Sequence, residues 1–321
     1  MRVFVTGGAG YIGSHAVWEL LKHGHDVIAY DNLSRGHWRL AKKCELIEGD
    51  LRDGERLKKA LHGADAVMHF AGWIAVGESV EKPREYFENN VTAGLALLNA
   101  AQEAGIRNFV FSSTAAVYGN PAVAPITEDA PLVPHNPYGV SKLFFEQALE
   151  AFGRAYGMRY ANLRYFNAAG AHESGEIGEM HDPETHLIPN VLLASAGART
   201  ELQIFGNDYP TPDGTCIRDY IHISDLIDAH ILALKRLAAG GESFAANLGT
   251  GKGHSVNEVI TTAESVTGRR IPRRYVPRRP GDAAVLVANP ARAEKLLGWK
   301  ATRSLAEIIS SAWKWTQRSL A

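Results

Sequence analysis

Five short runs, RVFVTG (2–7), DVIAYD (26–31), ELIEGD (45–50), AVMHFA (66–71) and NFVFSS (108–113), alternate with helical stretches such as HAVWELLKHG and GERLKKALHG. A chain that re-enters a strand after every helix can keep those strands parallel only if helices cover both faces of the sheet. The first half therefore predicts a doubly wound α/β sheet of Rossmann type. The unbroken apolar character of AVMHFA fits a strand buried on both sides. A sixth strand is expected at RYANLRYFN (159–167).

After about residue 167 the rhythm changes. GAHESGEIGEMHDPETH (170–186) reads as a long polar loop, and NDYPTPDGTCIRDY (207–220) as a turn-rich stretch before the helix DLIDAHILALKRLAA. Ser255 with Glu258 forms an S-x-x-E capping box opening a helix that runs to about Gly268, and Ser304 with Glu307 repeats it before a terminal helix at 305–318. The expected division is a nucleotide-binding domain over 1–167, to which about 215–235 returns, and a smaller mixed α/β lobe over 168–321.

The bulk properties exclude several classes. With 45% hydrophobic and 21% charged residues the chain is not disordered, and a net charge of −1 provides no field for nucleic acid or an anionic membrane. Cys44 and Cys216 are too few and too far apart for a disulfide framework. MRVFVTGG enters a strand at once and no apolar run approaches the roughly 20 residues of a membrane span, so a soluble, cytoplasmic protein is expected.

VFVTGGAGYIG places Gly7, Gly8, Gly10 and Gly13 between the first strand and the first helix. Glycines there allow a tight turn and let backbone N–H groups approach a pyrophosphate at the helix N-terminus. Asp31 follows Gly13 by 18 residues at a strand end, which completes a dinucleotide fingerprint. Its carboxylate would take the ribose hydroxyls and repel a 2′-phosphate, favouring NAD, with Arg35 nearby as the counter-argument. Asp50 closes the next strand and has two readings, an adenine contact or a turn residue.

Asn136 and Pro137 in HNPYGVSKLFFEQ form a helix start, which makes Tyr138 and Lys142 an i,i+4 pair on one face. By itself that pair fits simple surface packing. It comes, however, 24 residues after Thr114, which ends the fifth strand where ligands of open α/β sheets bind. Hydroxyl, phenol and lysine in this order, after a dinucleotide loop, suit a tyrosine base whose proton affinity is lowered by neighbouring positive charge.

At these residues the chain resembles the extended short-chain dehydrogenase/reductase superfamily, and within it the UDP-glucose 4-epimerase family. GGAGYIGSH, DNLS, GDLRD, HFAG, NNV, FSSTAAVYG, NPYGVSK, RYFNAAGAH, IFGNDYPTPDGTCIRDYIH, NLGTGKG and RRPGD carry the resemblance over nearly the whole length. It implies a C4 epimerisation through a transient 4-keto sugar, with Thr114, Tyr138 and Lys142 catalytic. For NAD it implies Gly7, Gly10, Tyr11, Ile12 and Gly13, then Asp31, Asn32, Leu33 and Ser34. Asp50, Leu51, Phe70, Ala71, Gly72 and Asn90 would follow, with Tyr165 and Phe166 closing the set. For the UDP-sugar it implies Thr114, Tyr138, Asn167, Arg218 and Arg279, with Phe205 and Asp282 at the uridine and His186 and Leu187 nearby. By the same resemblance Leu286 stands where hexose size is gated, and a homodimer would be joined through helices at about 84–104 and 138–156.

The pattern departs from the family at three places. Ile74 stands where a lysine often reaches the cofactor, Thr185-His186-Leu187 replaces Asn-Asn-Leu, and Ala168 replaces a proline. A 4,6-dehydratase would need an acid after Thr114, where Ala115 and Ala116 stand, and a silent NAD-binding sensor has no use for an activated phenol. An epimerase of another UDP-sugar, an N-acetylhexosamine, uronic acid or pentose, remains the alternative. The six arginines of RRIPRRYVPRR, broken by prolines, read as a solvated face with one phosphate contact rather than a nucleic-acid site. His172, His181, His186 and His222 show no tight ligand spacing, so no metal site is expected.

Overall fold

The structure is a computed structural model that describes residues 1–41, 43–279 and 281–320. The strands of the first half are β1 (Arg2–Thr6), β2 (Asp26–Asp31), β3 (Glu45–Glu48), β4 (Ala66–His69), β5 (Asn108–Thr114) and β6 (Arg159–Tyr165). They are followed by β7 (Asn167–Ala169), β8 (Leu202–Phe205), β9 (Ile217–His222), β10 (Phe244–Leu248), β11 (Gly253–Ser255), β12 (Arg273–Val276) and β13 (Val285–Leu286).

Val3, Phe4 and Val5 are fully buried and pair on both sides, with Val3 opposite Val27 of β2 and Ala66 of β4. Continued outward, this gives a seven-stranded parallel sheet in the order β10-β6-β5-β4-β1-β2-β3. The sequence reading had no counterpart for β10, which pairs parallel with β6 at the edge. The order reverses between β1 and β4, the crevice in which doubly wound folds bind ligands.

Helices α1 (Tyr11–Lys22), α2 (Gly54–Ala60), α3 (Val76–Glu81), α4 (Pro83–Phe87), α5 (Ala93–Glu103), α6 (Pro137–Tyr156), α7 (Leu187–Ala196), α8 (Ile223–Ala238), α9 (Val256–Thr267), α10 (Ala291–Leu297) and α11 (Leu305–Leu320) complete the chain. Residues of α1 and α8 pack with Val3, Val5 and Met68 on one face of the large sheet. Residues of α2, α5 and α6 pack with Phe4, Val67 and Phe109 on the other. A third core joins α7, α9 and α11 to the smaller lobe, where β9 is flanked by β7, β11 and β13 while β8 pairs with β12. Among the described residues no helix is long and apolar enough to cross a membrane.

Local chemistry explains the boundaries. Asn136 Oδ1 accepts the Gly139 N–H at 2.8 Å with Pro137 at the first helical position, and Gly157 ends α6 in the left-handed conformation, φ 69°. Both bonds of the Ser255–Glu258 capping box form. Two expectations need correcting. The strand foreseen over 159–167 ends at Tyr165, and Asn167 opens β7 in the other lobe. The helix foreseen over 84–104 contains a π-helical turn at Glu88–Thr92 between α4 and α5. The wider turn breaks the regular ladder at Asn90, whose buried side chain bonds to Trp73 and Ser141.

Candidate active site

The chain leaves β1 through Gly7, whose φ is +68° and whose missing Cβ would lie 2.6 Å from the Ala71 amide nitrogen. A Cβ on Gly13 would lie 2.1 Å from the Gly7 carbonyl oxygen, so α1 reaches this turn only with glycine there. Gly10 is the N-cap of α1 and has no side-chain cap, Tyr11 and Ile12 begin the helix, and Ile12 packs on the core below. Tyr11 donates its hydroxyl to the Gly170 carbonyl at 2.7 Å, which ties this turn to the segment after β7.

Asp31 ends β2 beside the turn. Its carboxylate accepts the Ala9 N–H at 3.0 Å and the Leu33 N–H at 2.8 Å, and burial pushes its pKa up despite these bonds. A Cβ on Gly36 would stand 2.8 Å from Asp31 Oδ1, so glycine keeps this carboxylate approachable. Leu33 has a φ of 56°, which a branched side chain adopts at a cost, and Ser34 donates its N–H to Asn32 Oδ1. Arg35 does not face Asp31. Its guanidinium bonds both oxygens of Glu78, at 2.8 and 2.9 Å. The nearby arginine therefore offers no free site for a 2′-phosphate. Asp50 is held well below the usual carboxylate range, foremost by Arg52, and also accepts from Asn32 at 3.0 Å. Leu51 is buried in the core beneath it.

Phe70, Ala71 and Gly72 follow β4 on the other side of the turn. A Cβ on Gly72 would lie 3.4 Å from both Asn90 Oδ1 and Lys142 Nζ, so these three converge. Lys142 is buried and donates to the Ser112 carbonyl at 2.9 Å. Burial lowers its pKa to about 8 against the opposing pull of Glu146. Tyr138 is also buried, and burial pushes its phenol up to about 12, only partly offset by a hydrogen bond with the Thr114 side chain. Thr114 Oγ1 accepts the Ala116 N–H at 3.1 Å, which leaves its own proton for the phenol oxygen. Tyr165 bonds through its hydroxyl to Ser112 Oγ at 2.8 Å, and Phe166 packs near Tyr118 and Leu286. The protein's own groups thus favour the protonated phenol, and the positive nicotinamide ring that the expected lowering includes is not among them. Desolvation outweighs the help from Thr114, and the Lys142 ammonium is bonded to the Ser112 carbonyl.

The smaller lobe gathers the remaining candidates. Asn167 of β7 donates to the Asp219 carbonyl at 3.1 Å. Arg218 of β9 donates to the Ala283 carbonyl at 2.8 Å, stands 3.6 Å from Asp282 Oδ1, and is in register with Leu286. The Arg279 guanidinium lies 3.9 Å from the Phe205 ring centroid, so one face of that ring carries a cation. His186 is the N-cap of α7 and Leu187 its first residue.

Sequence spacing did not join His181 and His186, yet the fold places both against Glu179 and Glu184 with their ligand atoms within 4.8 Å of one another. The alternation E-x-H-x-x-E-x-H over 179–186 was the available signal. The carboxylates overcome burial and raise His181 to about 9 and His186 to about 10. Glu179 stands 2.8 Å from His186 Nδ1 and 3.3 Å from His181 Nδ1, so the four side chains pair with one another. Spacing also missed the buried pair Glu146–Arg164, which braces α6 against β6 four residues beyond Lys142.

With this geometry in view, the comparisons are decisive. Residues 3–249 match the NAD dependent epimerase/dehydratase family. The chain belongs to that family. It is 49% identical over 319 residues to a UDP-glucose 4-epimerase of Rhizobium leguminosarum bv. trifolii, covering 99% of this chain and 98% of the relative. A UDP-glucose 4-epimerase from Brucella ovis, solved with NAD, superposes with a TM-score of 0.95 at 46% identity, covering 97% of each chain. One from Bifidobacterium longum, solved with NAD+ and UDP, gives 0.94 at 41% identity, covering 100% of this chain and 99% of that one. NAD is the cofactor of the family, and the glycine turn with Asp31 at the next strand end fits it.

Proposed function

We propose that this chain interconverts UDP-galactose and UDP-glucose through a transient 4-keto sugar, with Tyr138 as the base. The carrying observation is the burial of Tyr138 and Lys142 with Thr114 at the carboxyl end of β5, while a Cβ on Gly72, next to the Ala71 that closes on the Gly7 turn, would lie 3.4 Å from Lys142 Nζ. NAD supplies a ring that accepts and returns hydride and carries positive charge in its oxidised form. Tyr138 has to lose a proton held at about 12 before it can take one from the sugar 4-OH. From neutral pH that costs about 7 kcal/mol, with the help of Thr114 already included. A positive charge beside the phenol, such as the oxidised nicotinamide ring, would lower that cost.

In this reading Asn167, Arg218 and Arg279 hold the diphosphate, with Phe205 and Asp282 at the uridine. The N-terminus of α7 adds the Leu187 backbone N–H, the His186 N–H being taken by Glu184 Oε1 at 2.8 Å. Residues 1–167, with α8 and β10, carry the cofactor, and most of 168–321 carries the UDP-sugar. The exposed Val80, Phe87, Val140 and Phe144 on α3, α4 and α6 suit a face shared with a second copy, which light scattering would register as a dimer. The test mixes protein as purified with UDP-galactose, adds no NAD, and follows products by proton NMR and absorbance in the NADH band. UDP-glucose without lasting NADH supports the reading. A 4-keto-6-deoxy product or accumulating NADH overturns it.

A further inference from the structure

The loops after β2 and β4 leave the sheet on either side of β1. With neighbouring strands about 4.8 Å apart, those loops start about 10 Å from each other, and the glycine turn lies between them. One ion pair links the two sides. Arg35, from the loop after β2, gives one guanidinium nitrogen to both oxygens of Glu78 on α3, at 2.8 and 2.9 Å.

The two ends are built differently. Glu78 is anchored, accepting from Lys82 Nζ at 3.2 Å and sharing the single Tyr86 hydroxyl proton, 3.1 Å away, with the Ala75 carbonyl at 2.8 Å. Trp73, whose ring lies 4.9 Å from the Arg35 guanidinium, is pinned through both its N–H and its carbonyl by Asn90. Its indole Nε1 is buried and has no hydrogen-bond partner among the described residues. Arg35 is the more exposed partner, carried on a loop that contains the left-handed Leu33.

We propose that Arg35 and Glu78 form a strap across the dinucleotide groove that sets how long NAD stays bound. A pyrophosphate seated on the Gly7–Gly13 turn, with its ribose at Asp31, lies beneath this pair and leaves only when the pair opens. The strap retains cofactor beside Ile74, which offers no charge. The inference rests on NAD occupying the groove.

The experiment loads the protein with NADH, mixes it with excess NAD+, and follows the loss of bound-NADH fluorescence for wild type, Arg35→Gln, Glu78→Gln and the double variant. Each single substitution should speed release about five- to tenfold, the scale of one exposed ion pair with one cation–π contact. The double variant should release no faster than either single, since both remove the same bridge. Added salt should speed the wild type and leave the double variant unchanged. Release within twofold of wild type in both singles would overturn the strap. So would acceleration by only one of them, which would mark that side chain as a direct cofactor contact. Failure of the wild type to hold NADH at all would overturn the cofactor reading beneath it, an outcome visible before any variant is compared.

Discussion

Replacing Lys142 with methionine should abolish turnover and at the same time stabilise the fold. The ammonium is buried, and its pKa falls from 10.5 to about 8. That difference corresponds to about 3 kcal/mol of folding free energy withheld by the charged form. Methionine fills similar space without charge but leaves the Ser112 carbonyl, now bonded at 2.9 Å, without its donor, which costs about 1–2 kcal/mol. The net gain is about 1–2 kcal/mol at pH 7. The sign with pH follows from linkage. Because the folded pKa lies below the unfolded one, the penalty is fully present below about pH 8. It fades as pH rises toward 10.5, where the unfolded chain also loses its proton. Urea denaturation of NAD-stripped wild type and Lys142→Met at pH 7, 8, 9 and 10 reads this directly. The variant's advantage should be largest at pH 7 and vanish or reverse by pH 10. A variant less stable at pH 7, or a difference that does not move with pH, would refute the claim that Lys142 is held charged at a cost to the fold.

Other perturbations test neighbouring links. Tyr138→Phe should lower kcat by at least about 10²–10⁴ while UDP affinity by calorimetry stays within a few fold, because only the phenol oxygen is lost. Gly13→Ala should yield protein without bound NAD, seen in the absorbance ratio after gel filtration, since the new Cβ meets the Gly7 carbonyl at 2.1 Å. The doubly substituted His181→Gln/His186→Gln should be less stable than wild type near neutral pH. Both folded pKa values, about 9 and about 10, lie above the ordinary 6.5, so that difference should disappear as pH rises through them. Leu286→Ala, which removes side-chain volume at the edge of the cluster holding Ala115, Val117, Tyr118 and Ile126, should raise kcat/KM for UDP-N-acetylglucosamine relative to UDP-glucose in a coupled assay.

The parts legible in the sequence are those whose chemistry is local. A strand, four glycines, a helix and an aspartate 18 residues on specify the groove because each constraint acts within a few residues of the next. Asn136, Pro137 and Gly157 mark α6 in the same way, and Tyr138 and Lys142 then face one direction by helical geometry alone. What stayed hidden depends on burial and on partners distant in the chain. Nothing around Tyr138 in the sequence says how strongly desolvation will raise its phenol, because that is set by how completely the folded chain buries it. Arg35 and Glu78 are 43 residues apart, and only the adjacency of β1 to both β2 and β4 brings their loops together. Read locally, Arg35 suggested a 2′-phosphate contact. Placed in the fold, its guanidinium is engaged by Glu78, and the preference for NAD rests on Asp31 without a competing arginine.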